Sequence, residues 1–214
     1  MFGLFNTEKM QMVAAQEALP GRDEFMKVTN RHAVHGRPIM PPFPEHCREL
    51  ILGMGCFWGA EQQFWSMEGV YTTAVGYAGG FTPNPLYEEV CTAKTGHTEA
   101  VRIVYDPAVC SLEDLLKRFW ESHDPTQSMR QGNDVGTQYR SALYVPDEEA
   151  LDGATASRNA YQRALSGAGL GEVATEIRQG MVFYYAEDWH QQYLHKNPGG
   201  YCGLKGTGVV CPPA

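Results

Sequence analysis

Gly53-Met54-Gly55-Cys56-Phe57-Trp58-Gly59 sets a cysteine among glycines and aromatics, at the point where an apolar run gives way to a helical pattern. Upstream, Glu49-Leu50-Ile51-Leu52-Gly53 has the composition of a short strand. Downstream, Phe57, Ala60, Phe64 and Met67 recur at helical spacing, flanked by Trp58 and Trp65, which makes one face of an amphipathic helix. A strand therefore runs into a helix through a glycine turn. Cys56 falls at or just before the first helical turn, where free N–H groups and the positive end of the dipole favour a thiolate over a thiol. We read it as a nucleophile. The competing reading is a buried structural cysteine, a common fate of free Cys, and the glycine bracket and helix start weigh against it.

The flanking chain supplies partners. Residues 1–48 are punctuated by Pro20, Pro38, Pro41, Pro42 and Pro44 and read as an arm on the domain surface. Cys47 beside His46 has nothing further to activate it. Val70 to Tyr77 is β-rich and leads into a turn-dense stretch, Gly79 to Pro85, with Tyr87 just beyond. In Gly96 to Tyr105 the period of two puts Glu99 on the face of Val101, Ile103 and Tyr105. A carboxyl on that apolar face would lose hydration and hold its proton near neutral pH, as a general acid must; a strand-end Glu that reaches water is the alternative, and the pattern alone leaves both open. Ser111 to Asp114 opens a helix with a capping box, and Leu112, Leu115, Leu116 and Phe119 form its buried stripe. The polar loop Met129 to Gly136 suits a site rim and leads into a strand expected over Thr137 to Tyr144. A helix is expected over 147–165, strands over Val173 to Ile177 and Met181 to Tyr185, and a short helix over Glu187 to His195.

Composition narrows the classes. The 214 residues suit a single domain, with 1–48 as arm, 49–197 as core and 198–214 as a mobile tail. Seventeen basic against twenty-five acidic residues give a net charge of −8, which disfavours a nucleic-acid surface and points to a small molecule or a protein as partner. No run of about 18 apolar residues suggests a membrane span, and no basic start followed by an apolar run marks a leader, so a cytoplasmic protein is expected. In that reducing compartment the six cysteines are not expected to form a static disulfide framework, and none makes a C-x-x-C pair. No metal site and no cofactor is called for.

The tail adds mobile thiols. Gly199, Gly200, Gly203, Gly206 and Gly208 surround Cys202 and Cys211. Disulfide formation requires Cα atoms roughly 4.4–6.8 Å apart, so cysteines that form and exchange bridges during turnover must travel, and a glycine-rich tail permits it. A sulfenic acid at Cys56 could condense with Cys202, with Cys211 as a second relay.

Gly55-Cys56-Phe57-Trp58-Gly59 resembles the active-site motif of the methionine sulfoxide reductase A family. The likeness continues in order through Gly76 to Gly80, Asn84 to Cys91, Gly96 to Val101, Tyr105 to Pro107, Phe119 to Pro125, Gly132 to Ser141 and His190 to Leu194, and spans about residues 48–202. The resemblance implies an α+β fold, a two-layer ferredoxin-like sandwich with a mixed, largely antiparallel sheet flanked by helices. It implies reduction of the S epimer of methionine sulfoxide, free or in proteins, as damage repair. Cys56 would attack the sulfoxide sulfur, Phe57 and Trp58 would hold the substrate methyl, and Glu99 would protonate the oxygen. Tyr87 and Tyr139 would hydrogen-bond that oxygen, and Asp134 and His190 would line or support the site. Recycling would follow the bacterial three-cysteine pattern: Cys202 resolves, Cys211 carries the bridge onward, and thioredoxin reduces it. The tail around Cys211 fits the family register only with a one-residue shift, and Cys91 has no role in the implied mechanism. A monomer suffices. A peroxide-reducing thiol protein shares the sulfenic acid but has no need of an apolar wall, and a metal-binding or redox-sensing module would need a ligand cluster that the spacing does not supply.

Overall fold

The computed structural model describes residues 7–214 and realises the strand-to-helix handover directly. Strand β1 (Arg48–Met54) is followed by helix α1 (Phe57–Phe64). Then come β2 (Val70–Ala78), a one-turn α2 (Tyr87–Val90), β3 (Thr98–Tyr105) and α3 (Leu112–Ser122). A two-residue-per-strand hairpin, β4 (Arg130–Gln131) and β5 (Asp134–Val135), precedes β6 (Ser141–Val145) and the long α4 (Glu148–Gly167). The chain closes with β7 (Glu176–Gln179), β8 (Phe183–Tyr185) and α5 (Tyr193–Lys196).

The main sheet runs β7-β6-β1-β3-β2-β8. Its middle, β1-α1-β2-β3-α3-β6, is a split βαββαβ unit of ferredoxin-like type with antiparallel neighbours. Two edge strands extend it, β8 antiparallel to β2 and β7 parallel to β6, so the sheet is mixed. The expected α+β fold class is what the chain adopts.

Alternation fixes which face is buried. Leu50, Leu52 and Met54 of β1, Val101, Ile103 and Tyr105 of β3, and Leu143 and Val145 of β6 join one core with Phe57, Phe64, Leu115, Phe119 and Trp120 of α1 and α3. Ser111 caps α3 through its hydroxyl and the Asp114 carboxylate closes the reciprocal bond, the capping box expected there. The arm crosses the opposite sheet face, where Ile39 is buried and the Tyr185 hydroxyl donates to its carbonyl at 2.8 Å.

One buried carboxyl fastens α1 in place. Glu61 is fully enclosed and accepts the Thr73 hydroxyl at 2.8 Å, the Gln192 N–H at 2.9 Å and the Gln192 side-chain amide at 2.8 Å. His32 of the arm, also enclosed, meets the Thr73 hydroxyl at 2.9 Å. Burial holds the Glu61 carboxyl up to about 7, against the bonds from Gln192 and Thr73 that draw it down. The same contacts account for a departure from expectation. The helix predicted over Glu187 to His195 splits into a 3-10 turn (Asp188–His190) and α5, because Gln192 between them takes a left-handed backbone (φ 49, ψ 42) that lets it reach Glu61.

A second departure lies before β6. Thr137–Tyr139 is a 3-10 turn, and the strand starts only at Ser141. The Thr98 hydroxyl captures the carbonyls of Gln138 and Arg140 at 3.0 and 3.1 Å, and the Arg140 guanidinium takes the Thr137 carbonyl, so these groups are withdrawn from a ladder.

Candidate active site

Cys56 occupies the N-cap position of α1, partly exposed, and Gly55 before it has φ +92. A Cβ at Gly55 would lie 2.6 Å from the Gln131 side chain, so this turn tolerates only glycine. The strand-to-helix turn thus delivers the thiol to the end of the sheet where β3 begins.

There it meets Glu99, only 2 % exposed and paired across the ladder with Tyr77. The Glu99 carboxylate accepts the Phe57 N–H, the first of α1, at 2.9 Å. Burial pushes this carboxyl up to about 8; the Phe57 N–H opposes and the nearby Asp134 assists. It therefore carries its proton at neutral pH. Of the two placements the strand pattern allowed, the buried carboxyl is the one the structure shows.

At Cys56 the helix start works against two opposing influences. Burial and then the Glu99 carboxylate push its thiol well above the ordinary value, outweighing the Trp58 and Gly59 N–H groups that pull it down. The physical reason is first the loss of hydration on burial, with the neighbouring Glu99 carboxylate adding to it.

Aromatics pack together at the start of α1. The Trp58 ring stacks on Tyr193 with centroids 3.9 Å apart, and its Nε1 donates to His190 Nδ1 at 2.9 Å. Phe57 is fully buried, its ring 5.0 Å from His190 and 5.9 Å from Tyr77. Burial drives His190 down to about 3, so the imidazole is neutral. Since an indole only donates, the ring hydrogen must sit on Nε2. That atom has no hydrogen-bond partner among the described residues and lies 3.8 Å from a Glu187 carboxylate oxygen.

Tyr87 and Tyr139 keep their protons: burial raises both, and the Glu99 carboxylate raises each further. Tyr87 lies 4.5 Å from His190 by ring centroid and faces the Cys91 thiol, to which the family resemblance gives no role. Asp134, at the tip of the small hairpin, accepts the Tyr201 hydroxyl at 3.3 Å. Burial raises its carboxyl and that hydroxyl draws it back.

Tyr201 brings the tail in. All six cysteines are free thiols, and Cys202 is exposed with its Sγ lying over Gly59, 2.9 Å from where a Cβ would stand. Gly59→Ala is accordingly expected to displace Cys202 from α1. Steady-state turnover should fall several-fold while the first turnover, followed in a quench experiment, stays near the wild-type rate; equal effects on both would contradict this placement. Cys211 is seated elsewhere. It is buried, its N–H donates to Glu121 of α3 at 2.9 Å, and its thiol faces Ser157 of α4. Gly206 passes so close to the Glu121 carbonyl that a Cβ there would fall 2.0 Å from it. The tail carries no helix or strand after α5, yet it is packed.

The structure thus gathers Cys56, Phe57, Trp58, Tyr87, Glu99, Asp134, Tyr139, His190 and Cys202 about the start of α1 and seats Cys211 on α3 and α4. Sequence reasoning missed Glu187, whose carboxylate accepts the Tyr87 N–H at 2.8 Å and the Tyr77 hydroxyl at 2.9 Å, and Tyr193 behind Trp58. Glu187 read as an ordinary acidic helix start. Tyr193 lay inside a recognised segment, but nothing local marks a tyrosine as the backing of an indole.

Comparison with known proteins bears on this arrangement. The family model described as peptide methionine sulfoxide reductase matches residues 48–209. A peptide methionine sulfoxide reductase MsrA of Rhodospirillum centenum is 61 % identical over 210 residues, 98 % of this chain and 96 % of its own. The mitochondrial peptide methionine sulfoxide reductase of Rattus norvegicus is 58 % identical over 204 residues, 95 % of this chain and 88 % of its own. Among solved structures, methionine sulfoxide reductase A of Corynebacterium diphtheriae superposes with a TM-score of 0.85 at 44 % identity, covering 95 % of this chain and 99 % of that one. With matches of this extent on both sequence and fold, the chain belongs to the peptide methionine sulfoxide reductase family.

Proposed function

We propose that this protein reduces the S epimer of methionine sulfoxide, free and in proteins, by oxygen transfer to Cys56. The observation that carries the reading is the pairing of Cys56 with the buried Glu99, whose carboxyl that burial pushes up to about 8, beside Trp58. A sulfoxide oxygen is a poor leaving group until it is protonated or strongly hydrogen-bonded, while the methyl needs an apolar surface. Glu99 donates the proton, the Tyr87 and Tyr139 hydroxyls bond to the oxygen, and the methyl rests on Trp58 with Phe57 beneath. Asp134 and His190 support this arrangement, His190 through the bond it accepts from the indole.

The first step balances as sulfoxide plus Cys56 thiol giving methionine plus Cys56 sulfenic acid. The substrate sulfur gains two electrons, the Cys56 sulfur loses two, and the oxygen passes between them. The proton Glu99 lends is restored from the Cys56 thiol. Cys202 then attacks the sulfenic sulfur, a disulfide forms and water leaves. Cys211 exchanges into that disulfide, and the dithiol of thioredoxin reduces the result. Because Cys211 is docked on α3 and α4, residues 203–211 have to come away for this exchange.

Single-turnover reaction with pure S and R epimers, thiols counted before and after, tests the reading: one equivalent of the S epimer should consume two thiols and the R epimer none. Cys211→Ser should leave that first turnover within about twofold of wild type and slow thioredoxin-driven cycling; equal steady-state rates would show that Cys202 suffices.

A further inference from the structure

Beside the site stands an indole to which none of these roles falls. Trp189 is 51 % exposed, yet its ring is held in place. It stacks on the His190 imidazole with centroids 3.5 Å apart, meets Tyr87 nearly edge-on at 5.9 Å, and lies 6.3 Å from Trp58 and from Tyr193. The backbone beneath it is clamped as well. The Asp188 carboxylate accepts the Thr29 N–H at 2.6 Å and its hydroxyl at 3.1 Å, and the Lys196 ammonium donates to the Asp188 carbonyl at 3.1 Å. Trp189 is therefore a rigid apolar surface with one side on the aromatic cluster and the other in water. A large ordered aromatic left in that condition binds at low cost in conformational entropy.

Its position matches the dimensions of a peptide. Consecutive Cα atoms are about 3.8 Å apart, and alternate side chains of an extended chain lie on one side roughly 6.6–6.8 Å apart. Trp58 and Tyr87 border the place a sulfoxide side chain would take, and the Trp189 ring is one such step from each. We propose that Trp189 forms a subsite for an apolar, preferably aromatic, side chain within two positions of the methionine sulfoxide in a peptide. It biases the protein toward sulfoxides in unfolded apolar stretches. This inference rests on the reductase reading and names the substrate class that reading leaves open.

The test uses the full chain, dithiothreitol as reductant, and the peptide Gly-Gly-Met(O)-Gly-Gly with S sulfoxide. It is compared with four relatives, each carrying one Phe at a different flanking position. In the wild-type protein at least one Phe should raise kcat/KM roughly three- to tenfold, chiefly through KM, the size expected of an aromatic pair. Trp189→Ala and Trp189→Gln should abolish that gain, and Trp189→Phe should keep most of it. Each gain is a ratio within one protein preparation, so partial unfolding of a variant cancels. No gain at any position in the wild type, or a gain that survives in both Trp189→Ala and Trp189→Gln, would overturn the subsite. A wild-type protein that reduces neither these peptides nor free methionine S-sulfoxide would instead overturn the reductase reading itself.

Discussion

Cys56→Ser is expected to eliminate reduction of methionine S-sulfoxide with every reductant, a loss of more than about a thousandfold. A hydroxyl cannot accept the oxygen as a sulfenic acid does, so neither Cys202 nor Cys211 can take over the first step. Cys56 is only partly buried, and its contacts within α1 run through backbone groups that serine keeps. Thermal unfolding should therefore stay close to wild type, which separates lost chemistry from lost fold. Thiol titration sharpens the result. Wild-type protein has six thiols and should lose two per sulfoxide reduced, whereas the variant should lose none. Retained turnover would remove Cys56 as nucleophile. A wild-type protein that turns over hydrogen peroxide faster than the sulfoxide would favour the peroxide-reducing alternative.

The fold was legible where a single physical rule governs a stretch. A short apolar run placed β1; alternation placed β3, including the inward face of Glu99; helical spacing placed α1; and the capping box placed α3. The reading failed where tertiary hydrogen bonds overrule local pattern. Glu61 breaks the last helix through Gln192, and Thr98 takes carbonyls from the stretch that would have carried β6 four residues earlier. The same division holds at the site. Turn chemistry singles out Cys56, and strand parity puts Glu99 on the apolar face while leaving open whether it reaches water. Glu187 and Tyr193 act only through neighbours brought from β2, α1 and α2, and no pattern within their own segment encodes that. The raised Cys56 thiol belongs to this second class: it comes first from burial by packed neighbours and then from a carboxylate forty-three positions away.

Replacing that carboxylate should therefore act on both partners at once. Glu99→Gln is expected to slow the single-turnover reduction roughly 10²–10⁴-fold, the usual worth of a general acid, because an amide can hydrogen-bond the oxygen but cannot protonate it. In wild type the acid limb should fall as pH rises through about 8, where Glu99 loses its proton. In the variant that limb disappears, and the residual rate should decline less steeply at high pH. The Cys56 thiol should also ionise more readily, since a charge that raises it is gone. Stability supplies an independent reading with a fixed sign. Glu99 binds its proton more tightly folded than unfolded, so its contribution is fully present below about 4.5 and is lost as pH rises to about 8. Glu61, held up to about 7, adds a slope of the same sign. Chemical denaturation across that window should show wild-type stability decreasing with pH, and Glu99→Gln should flatten the decrease without removing the part due to Glu61. An unchanged rate in the variant would dismiss Glu99 as the acid. An unchanged slope would mean that its carboxyl is no more protonated in the folded chain than in the unfolded one.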